Sequence, residues 1–532
     1  MSCEEFFSLL LCISFFGKIN TMSAIDVNES LQSQGSNSTS QGSNVAEENG
    51  ESQRQRLDHP SVIVEDVVVD LQDESSVRRL ILNFKKIAAK NQELQIKYPD
   101  DPIQFLDCDI ELIMAIRDLQ CLSDVPQFYA LLVRLNAVSV LCQLLLHPKC
   151  SIGAGYLTIL IDALMDAQAP KCLLANLKRL NENNREDAIS VYSTIAVLVS
   201  MTEKTTNAAD VAVQCGYVQW LLNRLKMKIP FDDNKVYCNR FLGILLENSD
   251  EGKKVFHENN GIDILLEQLA IYIRPDLYGS HKKQNMSYGF ISLCASLLYV
   301  PNKHRFRESE GFQLMLMMLR MSKTALGLAF KTLDDATRSP DSKENCNKLV
   351  EVGGLGTIFP FFMRPVSRTL RKYFPIEEQE ERVCSILSSL LKYCDSSKRE
   401  RVIKKFSEDN FEKLKRLAEL HKKYWLRVRD FEKTHTSLSD DNKIYLDKLE
   451  NGLFTLQSIG FIFSVILVKG DNNLAQQAME LLALNQLFLE SIQQVLKEYA
   501  ENLGQDGESK SEDKALVETL IKQLDRMKSR SE

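Results

Sequence analysis

Residues 261–270 read GIDILLEQLA, which is a small residue, an apolar residue and then a leucine-rich amphipathic run. The same order returns at Gly216, Gly311 and Gly354, so successive glycines are 45, 50 and 43 residues apart. Repeats of about 40 to 47 residues, each with two or three helices, are typical of armadillo and HEAT arrays. The spacing therefore predicts an all-α fold, an armadillo/HEAT-like superhelical solenoid.

The repeat lies inside a longer helical pattern. Between residues 76 and 502, apolar side chains recur at steps of three and four, as helices with one buried face require. A further copy begins at Ala137, 79 residues before Gly216. The predicted domains are a disordered acidic tail that begins with an apolar stretch (1–72, stretch 1–21), a helical N-terminal cap (73–134), armadillo-like repeats (135–503), and a linker with a C-terminal helix (504–532, helix 515–527).

Each glycine also has a role in the predicted turn. Without a Cβ it tolerates a left-handed backbone and lets the last helix of a unit approach its neighbour closely. Stacked units place these last helices along one concave wall, which is the expected binding surface. Side chains two and six positions after each glycine should point outward: Val218, Leu222, Asp263, Glu267, Gln313 and Met317, flanked by Gln219, Asn223 and Gln268.

The candidate partner-binding residues come from this outward stripe. They are Asn223, Asp263, Glu267, Gln313 and Met317. Asp263 and Glu267 lie one helical turn apart, and two carboxylates on one face would suit a basic peptide laid along the wall. The alternative is an ordinary solvated helix face.

Charge is unevenly distributed along the chain. The net charge is -7, and residues 23–72 alone hold nine acids against two bases, so the rest is nearly neutral. A globally basic nucleic-acid binder is therefore disfavoured. Residues 364–429 are locally basic, with eighteen bases against ten acids. This segment predicts a surface for RNA or an acidic partner, which would also serve nuclear import, or else the solvated faces of repeat helices.

Sequence motifs for catalysis, cofactors and metals are missing. The sequence has no P-loop, no G-x-G-x-x-G after a strand and no G-x-S-x-G. Residues 257–261, HENNG, begin like the zinc motif H-E-x-x-H and lack its second histidine. The thirteen cysteines stand singly without a C-x-x-C, as buried reduced thiols do. We predict no enzyme, no cofactor and no metal site.

Residues 6–16 form an apolar run of eleven residues, the length of a signal-peptide core and too short to span a bilayer. Glu4 and Glu5 precede it where a secretory signal has bases. A chance extension ahead of an alternative start at Met22 is the favoured interpretation, and a signal or anchor is the alternative. Residues 461–468 are expected to form a buried helix segment, so no membrane contact is predicted.

Particular stretches of the chain are similar to the beta-catenin-like protein 1 family. They occur in family order and include DESSVRR, KNQEL, PFD, GIDILL, TIFP, VCSIL and KEYAEN, at residues 73–79, 90–94, 230–232, 261–266, 357–360, 383–387 and 497–502. The resemblance implies an armadillo-type solenoid with a helical cap and a non-catalytic nuclear role in the spliceosome and pre-mRNA splicing. It also implies binding to the Prp-nineteen type complex, through the basic import-signal segment of a cell-division-cycle-five-like splicing factor.

Two features depart from the family pattern. Residues 23–72 contain only Arg54 and Arg56 where family members carry a Lys/Arg-rich import signal. Between Cys150 and Tyr156 the chain has a short segment where the family has a further helix and its turn. The sequence therefore leaves undecided whether the chain enters the nucleus on its own and whether one early repeat is complete. It also leaves undecided direct RNA binding and the formation of a homodimer.

Two other classes of protein are the alternatives. One is a transport adaptor resembling importin alpha, whose groove repeats Trp with Asn four residues later. Here Trp220 is followed by Asn223 three residues on and by Arg224 four residues on, so the spacing fails. The other is a cytoplasmic armadillo scaffold in a regulatory or adhesion complex.

Overall fold

The computed structural model describes residues 74–98, 106–120, 169–204, 206–227, 232–274, 279–434, 441–503 and 508–531, with single positions at 104, 131, 135, 137 and 140. Every regular element in these ranges is helical, which confirms the predicted all-α class. The chain forms two compact units, Met1–Ala208 and Ala209–Glu532. The predicted tail and the short segment at 150–156 lie outside the described residues.

The first unit contains the predicted helical cap. Helices α1 (Glu74–Lys97) and α2 (Leu106–Gln120) pack against each other, and α3 (Ala169–Leu177) contacts α4 (Arg185–Lys204). Two clusters of buried apolar side chains stabilise the described part of this unit: Val77, Ile81, Leu131 and Ala137 in one, and Phe84, Ala88, Leu112 and Ala115 in the other.

The second unit is a stack of helical triplets. Helices α5 (Thr206–Cys215) and α6 (Tyr217–Lys226) precede four triplets. The first two triplets are α7 (Asp233–Asn248), α8 (Asp250–Glu258) and α9 (Gly261–Ala270), then α10 (Ser280–Ser296), α11 (Val300–Glu308) and α12 (Gly311–Met321). The last two are α13 (Leu326–Thr337), α14 (Lys343–Glu351) and α15 (Gly354–Met363), then α16 (Ile376–Tyr393), α17 (Ser396–Lys404) and α18 (Glu412–Thr434). Helices α19 to α23 follow at Asp441–Lys448, Phe454–Lys469, Asn472–Leu484, Leu489–Asn502 and Glu508–Ser531.

Successive triplets repeat the same packing. The first helices contact one another in the order α7, α10, α13, α16 and α20. The third helices do the same in the order α6, α9, α12, α15 and α18, and their exposed side is called the third-helix wall below. Because each triplet covers the apolar side of the next, the core is continuous through the stack. This translational order confirms the predicted armadillo-like repeat.

A glycine opens the third helix in three of the units because a Cβ there would overlap the second helix. At Gly261 and Gly311 the added atom would enter the rings of Phe256 and Phe306, and at Gly354 it would meet Leu349. The left-handed backbone belongs to the preceding residue in each unit: Asn260, Glu310 and Gly353 have φ values of 55°, 59° and 81°.

The unit that contains α6 uses the opposite arrangement of large and small residues. Gly216 has a φ of 99° and is therefore equivalent to Asn260, not to Gly261. The first residue of α6 is Tyr217, fully buried and edge-to-face with Phe241 at 5.5 Å. Five residues earlier, where other units have phenylalanine or leucine, stands Ala212. In this unit the large side chain therefore belongs to the third helix, whereas in the other units it belongs to the second helix.

This shift of one residue corrects the predicted outward positions in α6. Val218 and Leu222 were expected to point away from the core and instead are buried, with 0% and 1% exposure. The residues equivalent to Asp263 and Glu267 are Gln219, which is partly exposed, and Asn223, which is exposed. The predicted flanking residues are thus the outward ones.

Buried asparagines join the second helices of neighbouring triplets. Asn302 in α11 donates to the Lys253 carbonyl at 3.2 Å and to the Ser296 carbonyl at 3.0 Å. One unit later, Asn345 in α14 donates to the carbonyls of Lys303 and Ala336. Each amide therefore satisfies one carbonyl of its own triplet and one of the triplet before it, which fixes the register between units.

Helix α20 lies at the centre of the last described repeat. The stretch Lys443–Lys469 is long and apolar enough to cross a membrane, but 78% of its apolar window is buried inside the protein. Helix α20 contacts α16, α18, α21, α22 and α23, which is the packing of a core helix. The C-terminal helix α23 was predicted from residue 515 and begins at Glu508 instead, with acidic residues near its N-terminus where they favour the helix dipole.

Candidate functional site

The third-helix wall contains all five predicted site residues. Counted from Tyr217, Gly261 and Gly311, the side chains two and six positions later face outward: Gln219, Asn223, Asp263, Glu267, Gln313 and Met317. In α15 the equivalent positions are Gly356 and Pro360, both exposed. The wall is therefore a regular array in which each third helix contributes the same two positions.

Asp263 is already paired within the protein. Its carboxylate accepts from Arg305 Nε at 2.9 Å and Nη2 at 2.8 Å, and from the Ser309 hydroxyl. This contact joins α9 to α11 of the next triplet, and the hydrogen bonds to Asp263 raise the pKa of Arg305. Asp263 thus fixes the spacing of two units. Because its carboxylate already accepts three internal hydrogen bonds, it is less available to a ligand than its position in the sequence suggests.

Glu267 is the unneutralised acid of this stripe. Its side chain is exposed and makes no ion pair within the described part of the chain. A second acidic feature lies beside Gln313, in a shallow cavity lined by four glutamates against Arg307 and Lys348: Glu308, Glu310, Glu344 and Glu351. Two of these glutamates have internal partners, Glu351 with Lys398 at 2.9 Å and Glu308 with Arg305 at 3.9 Å. A cationic side chain at Glu267 would gain Coulomb energy without displacing an internal partner.

Three amide side chains of the wall differ in their exposure and in their hydrogen bonding. Asn223 is exposed to solvent. The side-chain oxygens of Gln219 and Gln313 are buried and have no hydrogen-bond partner in the structure. A buried acceptor without a donor costs about 1 to 3 kcal/mol, so these two oxygens lower the stability of the fold and are not presented to a ligand.

An apolar row runs beside the polar one and was not predicted. Met227, Ile271 and Met321 occupy equivalent positions at the ends of α6, α9 and α12, with exposures of 53%, 59% and 52%. Met317 adds a further 42% exposed side chain between them. The signal in the sequence was the tenth residue after Tyr217, Gly261 and Gly311, which is apolar each time. Such a wall can hold an extended segment that alternates basic and apolar side chains.

The basic segment 364–429 divides into neutralised and free charges. Glu380, buried in α16, accepts from Arg416 at 3.0 Å, from Lys423 at 2.6 Å and from the Tyr424 hydroxyl at 2.8 Å. Arg382 pairs with the buried Asp334 at 3.0 Å. Part of the predicted positive charge is therefore neutralised by ion pairs that join α16 to its neighbours.

Buried titratable groups elsewhere serve packing. Burial raises the pKa of Cys294 and Cys394 to about 12, so these thiols stay protonated. Burial lowers the pKa of His421 to about 4. Within the described ranges, no group of three or more His, Cys, Asp or Glu side chains is arranged to hold a metal ion.

Comparison with known proteins gives consistent matches. A family model described as "Catenin-beta-like, Arm-motif containing nuclear" matches residues 62–162 and 153–497. Beta-catenin-like protein 1 of Mus musculus is 37% identical over 469 residues, which are 82% of this chain and 83% of the relative. The Schizosaccharomyces pombe homolog is 27% identical over 455 residues, 81% and 79% of the two chains. A solved engineered protein matches 83% of this chain and 99% of its own at a TM-score of 0.43, with 15% identity.

Proposed function

Because the chain belongs to the beta-catenin-like protein 1 family, whose Arm-motif proteins are described as nuclear, we propose that it is a non-catalytic scaffold of the spliceosome. In this role it binds basic segments of splicing factors during pre-mRNA splicing. The proposed partner is the Prp-nineteen type complex, contacted through the basic import-signal segment of a cell-division-cycle-five-like protein.

The third-helix wall is the observation that supports this proposal. It combines the free carboxylate of Glu267, the glutamate-lined cavity beside Gln313 and the apolar row formed by Met227, Ile271 and Met321. A basic segment with interspersed apolar side chains complements all three features. The importin-alpha alternative receives no support from α6, because Arg224, four residues after Trp220, is buried and hydrogen-bonded to Asp232 at 2.7 Å.

Glu267 is the residue whose charge tests the proposal most clearly. Reversal of Asp263 would also break its pair with Arg305 and so change the stack itself. Glu267→Lys changes only an exposed, unpaired acid, and Glu247→Lys on α7 is the matched control, because Glu247 is also exposed and unpaired among described residues.

We expect Glu267→Lys to weaken binding of a synthetic basic import-signal peptide roughly tenfold, equivalent to about 1.4 kcal/mol. Glu247→Lys should bind as the wild type does. Titration calorimetry of the full chain measures both affinities, and circular-dichroism melts check that both variants keep the wild-type midpoint. Equal affinities for the wild type and Glu267→Lys, with intact melts, would contradict the proposed groove.

A further inference from the structure

The loop that joins α15 to α16 carries an unneutralised cluster of positive charge. Residues 364–372, called the cationic loop here, contain Arg364, Arg368, Arg371 and Lys372, all of them exposed. No acid occurs between residues 364 and 376. Within the described ranges none of the four bases forms an ion pair, and Lys372 lies only over the ring of Tyr373, 4.8 Å from its centroid. The four charges therefore repel one another without an internal counter-ion.

The helices that follow the loop contain both paired and unpaired bases. Of the fourteen bases between residues 373 and 429, six have an acidic partner in the described ranges: Arg382 with Asp334, Lys398 with Glu351, Lys405 with Glu408, Lys413 with Asp409, and Arg416 and Lys423 with Glu380. The cationic loop differs from these helices because all four of its bases, within nine residues, lack an acidic partner in the described ranges and are exposed to a ligand.

Both ends of the cationic loop are anchored to the fold. The Gln379 amide donates to the carbonyls of Phe361 and Arg364, and accepts from the Val366 N–H at 2.9 Å. Just beyond the loop, Phe374 is fully buried and stacks on Phe330 with ring centroids 5.1 Å apart. A ligand therefore meets a pre-ordered array of cations and avoids part of the ordering cost of binding.

The side chains of the loop indicate which kind of anion it binds. Its valine, Val366, is buried and Leu370 is partly buried, so that charged side chains outweigh apolar ones on its exposed surface. An acidic protein segment is bound best where a polar rim surrounds an apolar centre, whereas phosphates need closely spaced cations, and the planar guanidinium suits them in particular. The half-buried ring of Tyr373 next to these cations adds a face for one base.

We propose that the cationic loop binds the phosphate backbone of single-stranded RNA. Arg364, Arg368, Arg371 and Lys372 contact successive phosphates along one strand. Arg364 occupies the position that Met227, Ile271 and Met321 occupy in the earlier third helices, so the RNA lies at one end of the apolar row. The chain then holds a protein segment and an RNA strand on two separate surfaces.

Two charge-matched variants of the full chain test this proposal. Arg368→Glu/Arg371→Glu reverses two charges in the loop. Arg401→Glu/Lys404→Glu reverses two exposed bases on α17 that likewise have no ion pair among described residues. Fluorescence anisotropy with a labelled oligouridylate at about 50 and about 200 mM salt reports affinity and its salt dependence, and thermal melts report folding.

We expect the wild type to bind with a log–log salt slope of about -3, since each phosphate contact to a single strand contributes about -0.7. The loop variant should lose at least roughly tenfold in affinity, and its slope should become shallower by about 1.4. The α17 variant should stay within about twofold of the wild type. Absence of wild-type binding at low salt, or equal losses in both variants, would overturn the proposal. Tighter binding of duplex DNA or of a polyglutamate peptide than of oligouridylate would overturn it as well.

Discussion

His421 illustrates, at the scale of one residue, how the fold depends on pH. Its imidazole is fully buried, and neither ring nitrogen has a hydrogen-bond partner in the structure. It stacks on Trp425 and meets Phe463 edge-on, with ring centroids 6.3 and 5.8 Å apart. Burial lowers the pKa of His421 from 6.5 to about 4, so the folded protein keeps the neutral ring.

Acidification should therefore weaken the fold through this residue. Below about pH 6.5 the imidazole of His421 binds a proton in the unfolded chain but stays neutral in the folded chain. The free energy of unfolding therefore falls by roughly 3 kcal/mol between about pH 6.5 and about pH 4. We predict that His421→Leu removes this loss. Urea midpoints of the two proteins at about pH 7 and about pH 4.5 provide the measurement.

Comparison of the two proteins isolates the histidine. Lysine partners lower the pKa of Asp250 and Asp409, and these carboxylates also destabilise the fold in acid, but equally in both proteins. If the urea midpoints of the wild type and His421→Leu fall in parallel on acidification, the buried neutral imidazole is not the cause.

At the scale of the element, the stack is held by contacts that recur from triplet to triplet. Asn302 makes one of these contacts: its amide donates to carbonyls of two triplets, and its oxygen lies 3.2 Å from His257 Nδ1. Asn302→Ala should lower the free energy of unfolding by about 1 to 3 kcal/mol, since it leaves buried carbonyls without donors. Urea unfolding followed by circular dichroism measures the change.

Asn248→Ala is the control for this prediction. Asn248 is exposed, and its amide donates only to the Ile244 carbonyl of its own helix. Its replacement should change the free energy of unfolding by less than about 0.5 kcal/mol. Similar effects of Asn248→Ala and Asn302→Ala would show that the inter-triplet hydrogen bonds are not what stabilises the stack.

The repeat could be predicted from the sequence because its period is marked by small residues and amphipathic runs. The register of α6 could not, because glycine serves two purposes in this fold. Gly216 supplies a left-handed backbone, whereas Gly261 makes room for Phe256. The two purposes differ in the residues that pack together: Ala212 lies opposite Tyr217 in one unit, and Phe256 lies opposite Gly261 in another. This difference becomes visible once the helices are stacked.

The contacts of the candidate site could be predicted only in part, for a similar reason. Periodicity places Asp263 and Glu267 on one outward side of α9, where Asp263 is partly exposed and Glu267 is exposed; that this side binds a partner stays a prediction. The partner that occupies Asp263 is Arg305, forty-two residues away, and a contact between triplets leaves no local mark in the sequence. The same holds for Glu380, whose three donors lie in α18.

At the scale of the whole molecule, the described part of the second unit offers two surfaces of opposite character. The third-helix wall presents a free carboxylate, an acidic cavity and an apolar row, and the cationic loop at one end of that row presents four unpaired bases. Rows of packed first and third helices hold both surfaces at fixed spacing, so neither needs to be formed upon binding. This is the construction of a protein that brings other molecules together.

Affinity purification of the tagged full chain from nuclear extract, with wild type, Glu267→Lys and Glu247→Lys compared side by side, tests the scaffold role most directly. The wild type and Glu247→Lys should recover splicing factors of the Prp-nineteen type complex, including the cell-division-cycle-five-like protein, and Glu267→Lys should recover several-fold less. Recovery of importin beta or junction proteins without splicing factors would contradict the account.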